Sequence, residues 1–242
     1  MTEPAQIAAS MSGRSRAGPR RRHWWRWILG GVALLIVLGV AAIAAATALN
    51  PGPVALGLPG GAVNSPSGPL AGTWRVEPGS AAAFRVRETV LGLGNMVGGS
   101  TGSVTGTVVI AGDQVNTASF GINLTTIRVS GKQQPDVAIS LATGRYPEAA
   151  LALARPVTLP AGFATGRTVT FTAPAEFTLR GVARPVTVTL TARRDGTALQ
   201  AAGSIPIVFS QFGIVEPAGH GAFGSLADHG TAEFRLVLRR AG

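Results

Sequence analysis

The sequence predicts an all-β domain of antiparallel strands, and three observations support this class. Apolar and polar residues alternate in several segments, for example at Phe120, Ile122 and Leu124. Turn signals separate these segments at short intervals, the clearest being Asp195-Gly196. A period of two gives each strand one polar face, which a buried parallel sheet does not tolerate. The sheet must therefore shield its apolar face by closing into a barrel or by stacking as a sandwich.

About half of the excess positive charge lies near the N-terminus. The formal net charge is +10, which would fit a nucleic-acid-binding surface. However, arginines crowd residues 14–26, whereas later basic residues are scattered along strand-like segments. We interpret the later arginines as a solvated outer face and expect no nucleic-acid partner. The chain has no cysteine, which excludes disulfides, thiolate metal sites and cysteine nucleophiles.

The N-terminal segment predicts one membrane-spanning helix. An uncharged run of about 23 residues from Trp27 to Leu49 would reach roughly 34 Å as a helix, enough to cross a hydrocarbon core of about 30 Å. Basic residues precede it, so the positive-inside rule places residues 1–23 in the cytoplasm and the domain outside. We predict a transmembrane helix or signal anchor over residues 24–49. The alternative is a cleaved signal peptide, because residues 44–46 and 46–48 both fit the A-x-A pattern.

Proline and glycine mark the next segment as an extended linker. Residues 50–71 contain five prolines among many glycines, a composition that sustains neither a helix nor an inner strand. The folded domain is predicted to occupy residues 72–242, with a short helix within 135–146. The predicted strands are 72–77, 80–88, 102–111, 114–125, 150–158, 167–179, 184–194, 198–208 and 229–239.

Residues 89–101 interrupt this rhythm and are predicted to form a mobile glycine-rich loop. The loop carries the apolar side chains of Leu91, Leu93, Met96 and Val97. At the mouth of a barrel, such a loop would serve as a portal for an apolar ligand. The eight or nine remaining strands fit an up-and-down barrel or a sandwich.

Four segments, in order, resemble the YceI-like family. The run Phe177-Thr-Leu-Arg-Gly-Val-Ala-Arg-Pro-Val-Thr-Val188 resembles the family's most distinctive segment, which typically reads Leu-Thr-Leu-His-Gly-Val-Thr-Lys-Pro-Val. Residues 80–87 resemble its opening strand, Tyr146-Pro147 its Tyr-Pro turn, and residues 210–214 its Ser-Asp-Phe-Gly-Ile element. The resemblance covers about residues 72–240 and is closest to envelope-anchored, arginine-rich members.

The resemblance implies an eight-stranded, lipocalin-like antiparallel barrel that holds a polyisoprenoid or another long-chain lipid, with no catalysis and no cofactor besides a bound lipid. An eight-stranded barrel has room inside for side chains or one slender ligand. The alanines at residues 81–83 and 118 would leave apolar volume free. The candidate ligand-binding residues of lumen and portal are Phe84, Val86, Leu91, Leu93, Met96, Phe120, Phe171, Phe177, Leu179, Phe209, Phe212 and Ile214.

Three positions depart from the family pattern. Glu88 replaces the His that usually follows the first strand, and Arg180 replaces the His of the Leu-His-Gly step. Phe209 replaces the Arg that precedes Ser-Asp-Phe-Gly. If those groups hold a ligand head group in relatives, head-group recognition differs in this chain.

Two patterns point to other chemistry. Gly98-Gly-Ser-Thr-Gly102 fits the G-x-S-x-G nucleophile elbow of hydrolases, but the residues after Ser100 run into a strand where the elbow needs a helix. We therefore interpret Ser100 as a loop residue. A second set has metal-ligand side chains at spacings that match neither a helix face nor a zinc pattern, and we interpret it as surface residues: Glu216, His220, Asp228 and His229. A filled barrel acting as a structural or interaction module of the envelope remains an alternative.

Overall fold

A computed structural model describes residues 38–39, 53, 55–90, 92–214 and 224–242. The predicted cytoplasmic tail and nearly all of the predicted transmembrane segment lie outside these residues. None of the helices in this described part is both long and apolar enough to span a bilayer. Residues Pro51–Gly242 form one compact unit, which contains all the strands described.

The described part of this unit contains eleven strands and one short helix. The strands are β1 (Gly72–Val76), β2 (Ala81–Val90), β3 (Leu93–Thr101), β4 (Val104–Ala111), β5 (Gln114–Asn123), β6 (Glu148–Leu153), β7 (Val157–Thr158), β8 (Val169–Leu179), β9 (Val182–Asp195), β10 (Ala198–Val208) and β11 (Gly224–Arg240). Helix α1 (Pro135–Leu141) lies between β5 and β6, and 3-10 turns follow β5 (Leu124–Thr126) and β10 (Phe209–Phe212). Burial follows the period of two: on β6, Ala149 and Leu151 are buried between exposed neighbours.

The strands form one antiparallel sheet that closes on itself. Its ring runs β1–β4–β5–β6–β8–β9–β10–β11 and returns to β1. Closure leaves no unpaired edge in the ring, which is how an all-β domain avoids edge-to-edge association. The predicted eight-stranded antiparallel barrel with a short helix is therefore confirmed, and the sandwich alternative is wrong.

Three of the eight positions in the wall are each occupied by two consecutive short strands: β1 with β2, β3 with β4, and β6 with β7. The long strand β11 shows that β1 and β2 share one position, because its residues 224–235 pair with β2 and its residues 238–240 pair with β1. In the same way β2 pairs with β3 and β1 with β4, while β5 pairs with both β6 and β7. Each of these pairs of short strands follows one path along the wall with a brief interruption.

Residues 89–90 and 93–101 lie in β2 and β3, which form one hairpin, and this corrects the prediction of a mobile loop. The two strands pair from Ala82–Thr101 to Val90–Leu93. Glycine fits inside β3 because neighbouring groups come close: a Cβ on Gly99 would lie 2.8 Å from Cε1 of Phe84. Glycine within a strand often marks such a close approach, and reading it as a strand breaker caused the error.

Two hairpin turns depend on backbone in the left-handed region. Gly196 has φ +57° in the turn that follows Asp195, as the sequence predicts. Arg180 and Gly181 join β8 to β9 with φ values of +52° and +73°, positive at both central positions as in a type I′ turn. A Cβ on Gly181 would lie 2.8 Å from Cε1 of Tyr146, so the Tyr-Pro turn packs directly on this hairpin.

Residues 55–70, which we call the strap, are held to the barrel by hydrogen bonds. The backbone N–H of Leu56 donates to Oε2 of Glu233 at 2.9 Å. Farther along, the backbone N–H and the side-chain amide of Asn64 both donate to Oδ1 of Asp195, at 2.8 and 2.9 Å. The strap has no helix or strand, as its proline and glycine content predicts, but its path along the barrel is fixed by these contacts.

A buried arginine anchors the last part of the strap. Arg194 is only 5% exposed. Its Nη2 donates to the carbonyl oxygens of Ser67 (3.0 Å) and Gly68 (2.9 Å), and its Nη1 donates to that of Ala164 (3.2 Å). One guanidinium group therefore ties the strap and the β7–β8 connection to the end of β9.

Candidate ligand-binding lumen

The described residues enclose three cavities that follow one another inside the barrel. The outer cavity, at the end that carries α1, has a volume of about 350 Å³. The middle cavity has about 110 Å³ and the inner cavity, next to Phe163, about 120 Å³. For comparison, an apolar cavity of about 150 Å³ stays dry and takes up benzene. The outer cavity can therefore hold part of an apolar chain, and each of the other two a smaller part.

The strand side of the outer cavity is apolar, whereas the helix side carries polar residues beside Val137 and Leu141. Its strand side includes Phe84, Val86 and Val97, and its base includes Phe209 and Ile214 beside the second 3-10 turn. The polar side chains are Gln134, Asp136 and Ser140, all in or just before α1. This mixture suits an amphiphile, because its polar end could face α1 while its tail follows the strands.

The middle cavity is lined almost entirely by apolar side chains. Thr101 and Glu233 are the polar residues of its lining. The other lining residues are Ala82, Ala83, Val104, Phe120, Ile122, Leu124, Ile127, Leu141, Ala149, Leu151, Phe177, Leu179, Ile205, Ile207, Ala232, Phe234 and Leu236. Ala82, Ala149 and Ala232 contribute to the free volume, since a larger side chain at any of these three would extend into the lumen.

Shared side chains show that the cavities form a series. Leu141 and Leu179 line both the outer and the middle cavity. The middle and inner cavities share four side chains: Phe120, Leu151, Phe234 and Leu236. The three cavities are therefore neighbours in one row, separated by these shared side chains.

The base of the outer cavity is fixed by contacts among the family-like segments. The Arg180 guanidinium donates to the carbonyl oxygen of Gly213, and Nε of Arg184 donates to that of Gln211 at 3.2 Å. Phe212, at 1% exposure, packs edge to face on Phe177 with ring centroids 5.7 Å apart. Arg180, which stands in place of a family histidine, thus has a structural partner here.

A buried ion pair links the wall of the barrel to the strap. Glu233 on β11 is 5% exposed and accepts from Nε of Arg85 on β2 at 2.8 Å and from its Nη2. Its other oxygen accepts from the backbone of Leu56. With both oxygens bonded, the carboxylate is compensated for its removal from water.

Most of the predicted ligand-binding residues lie around the cavities. Phe84, Val86, Phe209 and Ile214 line the outer cavity, Phe120 and Phe177 the middle cavity, Phe120 and Phe171 the inner cavity, and Leu179 the outer and middle cavities. Phe212 packs behind Phe177, and Leu91 lies outside the described residues. The ligand contacts of all twelve residues remain a prediction.

The three portal residues that the structure describes, Leu93, Met96 and Val97, lie on strand β3. Leu93, the first residue of β3, is 41% exposed. Met96 is paired with Arg87, so both side chains are on the same face of the sheet. The next residue, Val97, lines the outer cavity. Because adjacent strand residues face opposite sides, Met96 lies on the face away from this cavity.

Sequence reasoning missed several lining residues. Ile205 and Ile207 on β10 contribute to the middle cavity, as does Leu141 of α1. The two isoleucines stand two residues apart, so strand periodicity could have found them. Leu141 could not have been found in this way, because the position of α1 over the mouth depends on tertiary packing.

The alternative chemical patterns are not assembled into sites in the described residues. Ser100 lies near the end of β3 and exchanges backbone hydrogen bonds with Arg128, and the chain continues into β4 instead of a helix. Asp228 and His229 are exposed and contact each other at 2.7 Å, a hydrogen bond that lowers the pKa of the Asp228 carboxyl. Glu216 and His220 lie outside the described residues. Within the part described, no three His, Cys, Asp or Glu side chains are grouped to hold a metal.

Fold and cavities together define a class: closed antiparallel barrels with a hollow, apolar interior. Residues 74–238 match the YceI-like domain. The chain therefore belongs to the YceI-like family, as the four sequence segments indicated. No curated protein matches the chain.

Two solved structures share the fold at low sequence identity. A polyisoprenoid binding domain from Saccharophagus degradans, implicated in plant cell wall breakdown, has a TM-score of 0.56 and 15% identity, covering 69% of this chain and 98% of that one. BcnA from Burkholderia cenocepacia has a TM-score of 0.51 and 20% identity, covering 67% of this chain and 98% of that one. The likeness at this identity shows the fold.

Proposed function

We propose that this protein is a membrane-anchored, extracytoplasmic binding protein that holds a long, isoprenoid-like apolar chain in its barrel and catalyses no reaction. The observation that carries the proposal is the series of three apolar cavities inside a YceI-like barrel. A similar solved structure is that of a polyisoprenoid binding domain, which supports the ligand class. The uncharged run at residues 27–49, preceded by arginines, supports the anchor and its orientation.

The energetics of burial favour such a ligand. A chain that removes on the order of 400 Å² of apolar surface from water gains about 10 kcal/mol at ~25 cal/mol per Å². Association and ordering take back part of this gain. The net gain grows with the length of apolar chain that is buried, which favours a long-chain ligand over a short one.

The direct test is the identity of whatever co-purifies with the protein. Full-length protein is expressed with its own N-terminal segment, purified and extracted with organic solvent, and the extract is analysed by mass spectrometry. We expect one long-chain lipid near stoichiometric amount. The proposal would be refuted if no such lipid is found and an experimental structure shows the lumen filled by the protein's own side chains.

A filled-barrel interaction module is the second candidate, and the small volumes of the middle and inner cavities favour it. It predicts that one envelope protein co-purifies and that lipid does not. A hydrolase is a third and weaker candidate, because Ser100 lies on a strand. Turnover of generic esters that is lost in Ser100→Ala would be needed to support it.

A further inference from the structure

Two phenylalanines between the middle and inner cavities lie against glycines of the neighbouring strands. Phe120 on β5 is paired with Gly106 on β4, and Phe234 on β11 with Gly203 on β10. A Cβ on Gly106 would lie 2.6 Å from Cδ1 of Phe120, and one on Gly203 would lie 2.5 Å from Cζ of Phe234. Each ring therefore occupies the space above its glycine, close to the barrel wall.

These contacts determine how far the rings extend into the lumen. A ring above a glycine can lie along the sheet, because no side chain on the paired residue displaces it. A methyl group on Gly203 would push the Phe234 ring off the wall and would also press on the carbonyl oxygen of Thr189, 2.8 Å away. Phe84 has the same arrangement with Gly99 in the outer cavity, so the pairing recurs along the lumen.

We propose that Phe120 and Phe234, with Leu151 and Leu236 beside them at the boundary of the middle and inner cavities, narrow the lumen to an internal stop that sets the length of the apolar tail the barrel accepts. This inference rests on the proposed binding function and specifies its ligand as one with a single slender tail. The tail passes Leu141 and Leu179, fills the outer and middle cavities and ends at the two rings. The inner cavity is reached only when these rings turn aside.

The strand geometry indicates where this stop lies. Leu226 lines the outer cavity, Phe234 the boundary and Leu238 the inner cavity, all on β11. At roughly 3.3 Å per residue and a strand tilt of about 40°, Leu226 and Phe234 are up to about 20 Å apart along the barrel axis, and Leu238 lies about 10 Å farther. The stop thus leaves about a third of this depth behind it.

The test measures affinity against tail length. Full-length protein in lipid nanodiscs of fixed composition is titrated with straight-chain alcohols of increasing length, and uptake by empty nanodiscs is subtracted. In the wild type, each added methylene should lower Kd about fourfold until the tail reaches the rings, and longer alcohols should gain nothing more.

Two variants should move this plateau in opposite directions. Phe234→Ala removes one ring, so Kd should continue to fall with longer alcohols. Gly203→Ala should press the Phe234 ring into the lumen and shift the plateau to shorter alcohols. Trp74→Phe is the matched control: Trp74 is buried and donates to the carbonyl of Leu70, but it lines none of the three cavities, so the variant should lower Tm without moving the plateau.

The outcomes separate the two proposals. If the wild type binds no alcohol above the nanodisc background, the binding function itself fails. If it binds but shows no plateau, or if Phe234→Ala keeps the wild-type plateau, the stop is wrong and the binding function stands. If Gly203→Ala does not fold, Phe120→Leu takes its place, because it replaces the other ring by a smaller side chain. For the inference to hold, Phe120→Leu must shift the plateau to longer alcohols.

Discussion

Phe177 illustrates how single residues here serve both the core and the lumen. Its ring lines the middle cavity on one side and contacts the edge of Phe212 on the other. Leu151, on the neighbouring strand β6, is its paired residue. Aromatic pairs of this kind contribute beyond the apolar area they bury. The same side chain is therefore expected to affect both stability and ligand volume.

Phe177→Ala should lower the free energy of unfolding by about 3–5 kcal/mol, because it removes a buried ring and leaves its volume empty beside Phe212. Urea denaturation followed by circular dichroism measures the change. Val208→Ala is the control. Val208, the last residue of β10, is 40% exposed, so this variant should change the free energy of unfolding by no more than about 0.5 kcal/mol. Equal losses in both variants would contradict this account of the core.

A matched pair on β3 tests which face of that strand meets the ligand. Val97→Asp places a carboxylate in the outer cavity and should abolish lipid retention, because an unpaired charge there disfavours an apolar chain. Met96→Asp changes the adjacent residue beside Arg87 and should leave retention unchanged. Lipid content after purification, measured by mass spectrometry, is the readout. Loss of lipid in Met96→Asp would instead support the portal predicted from the sequence.

The composition of the strap predicts only an extended linker, but the structure shows that it is bonded to the barrel. It bonds to β11 through Leu56 and to the β9–β10 hairpin through Asn64. A proline-rich chain loses less entropy on docking than a flexible one, because its free state is already restricted. A few well-placed hydrogen bonds are therefore enough to hold it. The strap completes the unit by covering part of the outer wall.

Arg194→Met should release the end of the strap. The change keeps an apolar stem but removes the donors to Ser67, Gly68 and Ala164. We expect a loss of about 2–4 kcal/mol, since hydrogen bonds from a charged group to buried carbonyls are disrupted. Amide hydrogen exchange should show faster exchange at Ser67, whose N–H donates to Gly196. Unchanged exchange there would show that Arg194 does not hold the strap.

The contact between strap and hairpin should depend on pH through Asp195. Hydrogen bonds from the Asn64 backbone and side chain lower the pKa of this carboxyl, against an opposing effect of burial, and Arg193 and Gln200 lower it further. A carboxyl with a lowered folded-state pKa stabilises above its unfolded pKa, and that stabilisation is lost as pH falls through the folded-state value. Asp195→Asn should therefore be less stable than wild type at pH 7, and the difference should shrink below about pH 4. A difference that is constant from pH 7 to pH 3 would rule this out.

At the scale of the whole molecule, closure of the barrel creates an enclosed space, and its occupancy should affect stability. A ligand that binds only the folded state adds RT ln(1 + [L]/Kd), about 2.7 kcal/mol at a hundredfold excess over Kd. Protein from which the lipid has been removed should therefore melt at a lower temperature than protein purified with its lipid. Adding the extracted lipid back should restore Tm. Identical melting of stripped and native protein would argue for a filled barrel.

The parts of the fold that could be predicted from the sequence depend on local pattern. Alternation on β5, β6 and β9, and the Asp195-Gly196 turn, are set by residues within a few positions of one another. Strand β3 could not be predicted in this way. Its glycines fit because Phe84 and Ile127, on other segments, come close to Gly99. The lumen could be expected from small side chains, but its subdivision could not.

By itself, the sequence determined the antiparallel class, most strand positions and the family, because periodicity and motifs depend on residues that are close together in the chain. Tertiary structure alone decided how open the lumen is and where the strap runs. Phe120 and Phe234 lie on the wall only because the register sets each opposite a glycine. Leu56 reaches Glu233 across a separation of 177 residues, and the closed ring of strands is what brings such distant positions together.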